Sequence, residues 1–242
     1  ENEHKRIYTY GNMLSHVIGY VGRDMKGLAG IERYFDELIA KNDEAQIKDN
    51  KIILTIDIRL QNILYDEMNK TIEKHKAKGG AGIIADPNTG EILAMLSKPD
   101  FDPHFPGSGS EDAMFNNATL GTYEMGSGMK ALTMAIGLDT STITMNDAYN
   151  ISYMKVAGWP IKDTHPIKGW SSVPEIFLKS SNVGVSQIML DIGKNHIRNY
   201  LKKLRLMDKL ELEVPELGSP LFQPYSKWTD IGMVTMSYGY SI

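Results

Sequence analysis

Apolar positions along the chain follow a helical period in some segments and fall into short unbroken runs in others. Ile31, Tyr34, Phe35, Leu38 and Ile39 lie on one face of a helix running from Ile31 to about Ala40. A glycine-rich turn region precedes it, and "KNDEAQIKDNK" (41–51) after it is polar enough for a linker or surface loop. "KIILTID" (51–57) predicts a short buried strand. From Asp57, a suitable N-cap, a helix is expected to about Lys76 with Leu60, Ile63, Leu64 and Met68 on its apolar stripe. "AGIIADPNTGEILAML" (81–96) joins two apolar runs through Asp-Pro-Asn-Thr-Gly, which predicts an antiparallel hairpin. The following "SKPDFDPHFPGSGSED" (97–112) carries three prolines and a Gly/Ser cluster and reads as a long loop.

Beyond residue 122 the pattern is mainly helical. One helix opens near Ser127, with Leu132, Ala135, Ile136 and Leu138 available for burial. "SSVPEIFLKS" (171–180) holds a capping box, Ser172 with Glu175, and places Pro174 where a helix tolerates it. "NVGVSQIMLDIG" (182–193) and "NHIRNYLKKLRL" (195–206) both carry helical periodicity. A hairpin followed by a helical block predicts an α+β fold with helices against an antiparallel sheet. Residues 1–50 read differently from the rest, so a boundary is expected between them and 51–242.

Composition narrows the function. Of the 242 residues, 42% are hydrophobic and 23% charged, as in a soluble globular chain. The net charge of −4 gives no reason to expect nucleic acid or an acidic membrane surface as a partner. No apolar run reaches bilayer length, and no apolar signal-peptide core follows the opening "ENEHKR". With no cysteine, disulfides and thiol catalysis are excluded. The six histidines form no HExxH or other tight ligand cluster, and neither GxxxxGK[ST] nor GxGxxG occurs. No metal or cofactor is expected.

The candidate chemistry lies in "TYEMGSGMKALTMAIGLD" (122–139). A serine hydroxyl is a poor nucleophile until a base takes its proton. Lys130 follows Ser127 by three positions, which on a helix is nearly the same face. A chain of this length meets about one Ser-x-x-Lys by chance, and this one has a second, Ser152 with Lys155. That second pair lies in β-favouring sequence, where residues three apart face opposite ways. Ser127 instead opens a helix, whose N-terminal dipole favours an alkoxide and, with burial, lowers a nearby lysine's pKa. The plainer reading is the polar start of an ordinary helix. Ser180 and Asn182 form Ser-x-Asn at the seam of two helix patterns, where they serve equally as helix caps.

In this order, the two motifs resemble the penicillin-binding transpeptidases. More of the chain joins them: "HVIGYVG", "GIERYFDELI", "LTIDIRLQ", "ADPNTGEILAMLSKPDFDPH", "YEMGSGMK", "LKSSNVGVSQIML" and "KWTDIGMVTMSYGY" are similar to class B penicillin-binding proteins, in that family's order. "SYGY" is closer to the division-specific (septal) members. The resemblance implies a transpeptidase fold of the serine β-lactamase type, preceded over residues 1–50 by the end of a non-catalytic pedestal. It implies peptidoglycan stem peptides as substrates, β-lactams as inhibitors and division-machinery proteins as partners. The implied location is the periplasmic face of the inner membrane, with the anchor before residue 1. Ser127 would be the acylated nucleophile and Lys130 its base. Ser180 would relay the proton to the leaving amine, and Asn182 would bind the substrate's amide backbone and help hold Lys130. The backbone N–H of Ser127 would be one oxyanion-hole donor.

Three departures stand out. Met125 and Gly128 replace the family's usual Pro and Thr, and glycine in a first helical turn costs up to about 1 kcal/mol. No Lys-[Thr/Ser]-Gly triplet, the family's third motif and the source of the second oxyanion donor, follows Asn182. The resemblance therefore implies a truncated chain whose turnover is in question, since one lost oxyanion donor typically costs about 10²–10³ in rate. Two other readings share parts of the pattern: a serine β-lactamase, for which no deacylation motif is found, and a non-catalytic interaction module of the division machinery.

Overall fold

The computed structural model describes residues 5–40 and 52–240, with side chains omitted at 37–40. The chain separates into two compact units: residues 1–121 with 209–219, and residues 122–208 with 220–242. The expected boundary near residue 50 lies outside the described residues.

The first unit is built on the predicted hairpin. Strand β1 (Gly80–Ala85) pairs antiparallel with β2 (Ile92–Lys98), in a register that sets Gly80 opposite Lys98 and Ala85 opposite Ile92. Asp86 closes the turn by accepting the Asn88 N–H at 2.7 Å and the Thr89 N–H at 3.2 Å, the Asx geometry that makes Asp a turn residue. Among the described residues, three α-helices precede the hairpin: α1 (Ser15–Ile18), α2 (Gly30–Ala40) and α3 (Ile58–His75). Helix α2 has the expected span, although Leu38 and Ile39 lie where side chains are not described. Asp57 caps α3 as expected, accepting the Arg59 N–H at 2.9 Å.

Helix α3 rests on the hairpin. A Cβ on Gly82 would stand 2.8 Å from Leu64, so a glycine there lets the helix approach the strand. Two expectations fail in this unit. Ile63 is 56% exposed, and Gln61, a polar residue, takes the fully buried position on the helix. Gln61 Nε2 donates to the carbonyls of Met13 (2.9 Å) and Met95 (2.8 Å), and Oε1 accepts the Met95 N–H at 2.9 Å. "KIILTID" is also not a buried strand. Over residues 52–57 the backbone is tied to β2 only by Asp57 N–H to Leu93 O, with Thr55 Oγ1 donating to Ile92 O. Leu54 and Ile56 turn inward while Ile53 is 91% exposed, the alternation of an extended chain lying along one side of a core. In the long loop, a short helix α4 (Glu111–Met114) is capped by Ser110, which accepts the Ala113 N–H.

The second unit is mostly helical, with α5 (Met129–Asp139), α6 (Val173–Leu178), α7 (Asn182–Lys203) and α8 (Asp230–Ser237). Two small antiparallel ladders accompany them: β3 (Ala148–Asn150) with β6 (Trp170–Ser172), and β4 (Met154–Val156) with β5 (Trp159–Ile161). The capping box of α6 forms, the Ser172 N–H donating to Glu175 Oε2 at 2.9 Å. The two helix patterns on either side of residue 194 are one element broken at Gly193, whose φ of 78° no helix accommodates. The α+β class read from the sequence is the class observed.

The core of this unit collects Met129, Met134 and Ile136 from α5, Val185, Ile188 and Ile192 from α7, and Met233 and Val234 from α8. Helix α5 presents the expected face only in part. Its buried side carries Met129, Lys130, Thr133, Met134, Ile136 and Gly137, while Ala135 and Leu138 are exposed. Ile136 lies in the core and Leu132 packs against it as expected, while a lysine and a threonine share the inner face.

Candidate active site

Ser127 sits in a 3₁₀ turn (Gly126–Gly128) that runs straight into α5. This is the polar opening of a buried helix, where backbone N–H groups have no intrahelical acceptor. Its side chain is exposed, whereas Lys130, one turn further in, is 2% exposed. Ser180 lies at the seam between α6 and α7 with φ of 53°, a left-handed conformation uncommon outside glycine. That conformation turns the chain between two helices and aims Ser180 at the start of α5.

The three side chains form a continuous hydrogen-bonded line. Lys130 Nζ donates to Ser180 Oγ at 3.0 Å and to the Ser180 carbonyl at 2.5 Å. Ser180 Oγ donates to Ser127 Oγ at 3.1 Å. Lys130 thus reaches the Ser127 hydroxyl through Ser180. Burial pushes the Lys130 pKa below its ordinary value, and the negative charge of Asp163 opposes this with a smaller effect. A lysine in this setting is easier to deprotonate than one on the surface. Such a line can carry a proton from an exposed hydroxyl to a buried amine.

Asn182 begins α7 and Ser181 caps it, accepting the Gly184 N–H at 2.9 Å. Asn182 Nδ2 donates to the Lys162 carbonyl at 3.0 Å. Asp163 accepts from Ser181 Oγ at 2.8 Å and from the Val183 N–H at 2.9 Å. Lys162 and Asp163 therefore grip all three residues that follow Ser180. Neither was singled out from the sequence. Asp163 is a lone acid in "KDTHP", and no spacing connects it to a turn eighteen residues away. The second Ser-x-x-Lys is not assembled in this way: Ser152 Oγ accepts the Gly169 N–H at 2.7 Å, and Lys155 lies exposed on β4. Among the described residues no group of His, Asp and Glu side chains is placed to hold a metal ion.

Comparison with known proteins gives this geometry a family. The family described as penicillin binding protein transpeptidase domain matches residues 80–242. A probable peptidoglycan D,D-transpeptidase FtsI from Caulobacter vibrioides is 35% identical over the whole chain, which spans 41% of that protein. The peptidoglycan D,D-transpeptidase FtsI of Escherichia coli is 28% identical over 99% of the chain, which spans 44% of it. The chain therefore spans less than half the length of these relatives. Among solved structures, the apo transpeptidase domain of Burkholderia pseudomallei penicillin-binding protein 3 superposes with a TM-score of 0.67 at 28% identity. That superposition covers 77% of this chain and 52% of the other. With the family match extending over most of the chain, this protein belongs to the penicillin-binding protein transpeptidase domain family.

Proposed function

We propose that the chain carries the acylation machinery of a peptidoglycan D,D-transpeptidase. The observation that carries the reading is the line Ser127–Ser180–Lys130, which ends on a buried lysine of lowered pKa. Ser127 Oγ attacks the carbonyl carbon of the penultimate D-Ala of a stem peptide. An ester forms, and the peptide C–N bond to the terminal D-Ala breaks. The proton from Ser127 passes through Ser180 Oγ to neutral Lys130 and returns by the same route to the departing amine. An amine of a second stem peptide then attacks the ester, closing the cross-link and restoring the serine hydroxyl, the usual two-step logic of covalent catalysis.

Ser180 supports this role because its hydroxyl can accept from one neighbour and donate to the other, and the direction reverses with the charge of Lys130. The Ser127 backbone N–H, in the first turn of its helix, is assigned to the oxyanion that develops. Asn182 is assigned to the substrate's amide backbone. Its side-chain amide spends one donor on the Lys162 carbonyl, which fixes its orientation and leaves the amide oxygen to accept from substrate. A β-lactam, whose strained amide resembles the D-Ala-D-Ala end, would be opened by Ser127 in the same way and remain attached. The reading extends to septal wall synthesis with division-machinery partners, on the strength of the "SYGY" segment, and to the periplasmic face of the inner membrane. Residues 1–50 are proposed to belong to a non-catalytic region. No helix among the described residues is long and apolar enough to cross a membrane.

The test is labelling by a fluorescent penicillin. The wild-type chain should be labelled, Ser127→Ala should not, and Ser180→Ala should be labelled at least tenfold more slowly. Undiminished labelling of Ser127→Ala would refute the assignment of the nucleophile.

A further inference from the structure

The turn that presents Ser127 is held from outside its own helix. The Gly126 N–H donates to the Gly239 carbonyl at 3.2 Å, so the residue before the nucleophile is joined to the residue two beyond the end of α8. Gly239 has φ of 86° and is buried. A Cβ built on it would lie 2.1 Å from the Gly126 carbonyl oxygen and 2.2 Å from its nitrogen. The two backbones touch with no room for a side chain. A second tie runs alongside, where Thr133 Oγ1, one turn into α5, donates to the Ser237 carbonyl at 3.2 Å. The start of α5 is thus fastened to the "SYGY" segment at two points, one on each side of Ser127 and Lys130.

We infer that Gly239 is a positioning residue for Ser127. Its lack of a side chain lets Ser237–Gly239 act as a backbone clasp that holds the nucleophile's turn within hydrogen-bonding reach of Ser180. The inference rests on the acyl-enzyme reading above. Nothing in the hydrophobic pattern requires a glycine at residue 239, because the contact it makes is with backbone more than a hundred residues away. The chemical demand is geometric. Ser127 Oγ must lie near 3.1 Å from Ser180 Oγ, and any side chain at residue 239 must drive Gly126 away by about 1 Å to reach an ordinary contact distance. A displacement of about 1 Å at a reacting group can cost about 10² in rate.

The experiment compares Gly239→Ala with Gly158→Ala in the full chain. Gly158 shares the left-handed backbone (φ 87°), lies in the β4–β5 turn, and has open space where a Cβ would go. Stopped-flow acylation by a chromogenic cephalosporin separates the non-covalent dissociation constant from the acylation rate constant. For Gly239→Ala the rate constant should fall about 100-fold, with the dissociation constant within about threefold of wild type. Gly158→Ala should acylate at the wild-type rate, although it carries the same kind of backbone strain. Where Gly239→Ala fails to fold, Thr133→Val decides, since it removes the second tie without changing side-chain shape. Its acylation rate constant should fall by about threefold to tenfold, with binding unchanged.

A Gly239→Ala protein that folds and acylates at the wild-type rate would overturn the clasp and leave the nucleophile assignment standing. Equal slowing in Gly158→Ala would also overturn it, by showing that generic strain suffices. An unchanged Thr133→Val would overturn it in the unfolded case. A wild-type chain that forms no covalent adduct would remove the acyl-enzyme reading, and the inference with it.

Discussion

Replacing Asp163 by asparagine keeps the shape of the side chain that grips the Ser180–Asn182 turn and removes its charge. The carboxylate accepts from Ser181 Oγ and the Val183 N–H, and it stands at the positive end of α7. An asparagine has one acceptor oxygen, so one of the two bonds is lost and the other becomes a neutral one. Hydrogen bonds to charged groups contribute about 1.5–3 kcal/mol and neutral ones about 0.5–1.5 kcal/mol. Because Asp163 is half-buried, solvent screens part of this, and a net cost of about 2–3 kcal/mol is expected. All three tryptophans (Trp159, Trp170 and Trp228) belong to the second unit, so their fluorescence reports its unfolding. With a urea dependence of about 2–3 kcal/mol per molar, the midpoint should fall by about 1 M. The same change removes the charge that opposes the lowering of Lys130. Lys130 then loses its proton more readily, and the acidic limb of the acylation rate should move to lower pH. A midpoint shift of under about 0.3 M, which is below 1 kcal/mol on that slope, would refute the stability argument. A limb moving to higher pH would refute the electrostatic one.

Three further outcomes follow from the same contacts. Gly128→Ala should stabilise the second unit by about 0.4–1 kcal/mol in urea titrations, because Gly128 is helical (φ −58°, ψ −33°) and a Cβ there would meet nothing within 4 Å. Gln61→Leu leaves the buried Met95 N–H without its acceptor and frees two carbonyls of their donor. It should cost about 2–4 kcal/mol, read as lost hydrogen-exchange protection along β2. Lys130 has a folded-state pKa below its ordinary 10.5. Below the folded value the lysine is charged in both states and the burial penalty is complete; above 10.5 it is neutral in both and the penalty is gone. Stability of the second unit should therefore rise with pH through that window, measured as wild type minus Lys130→Met, and a flat or falling difference would contradict the burial of Lys130.

The parts of the site that were legible in the sequence are those set by local spacing. Ser127 lies in the turn that opens the helix of Lys130, and Ser180 and Asn182 flank a helix start. Their spacings made them candidates, and the order of the two motifs, with the resemblance it carries, singled them out from chance matches and helix caps. The hairpin at 80–98 was legible because Asp-Pro-Asn-Thr-Gly interrupts two apolar runs and Asp86 closes the turn by itself. The orientation of α5 was legible only in part, at Leu132 and Ile136. Burial of Lys130 was entertained only for its chemistry, and the apolar pattern gives no sign that Thr133 faces inward beside it, because their partners, the Ser180 and Ser237 carbonyls, are far off in sequence. Gln61 was missed for the same reason, since a buried amide is tolerated only where the fold delivers matching backbone groups. Asp163 and Gly239 were silent because each acts on backbone brought to it by tertiary structure. Residues 52–57 were misread because Ile52 and Ile53 are apolar yet exposed, which no periodicity distinguishes from a buried run.

The central claim is that Ser127 forms the acyl-enzyme. The most direct test is the intact mass of the chain before and after incubation with benzylpenicillin, with the adduct located by peptide mapping. The account predicts a single penicilloyl adduct on the peptide containing Ser127, absent from Ser127→Ala. An unchanged mass, or an adduct on any other residue, would contradict it.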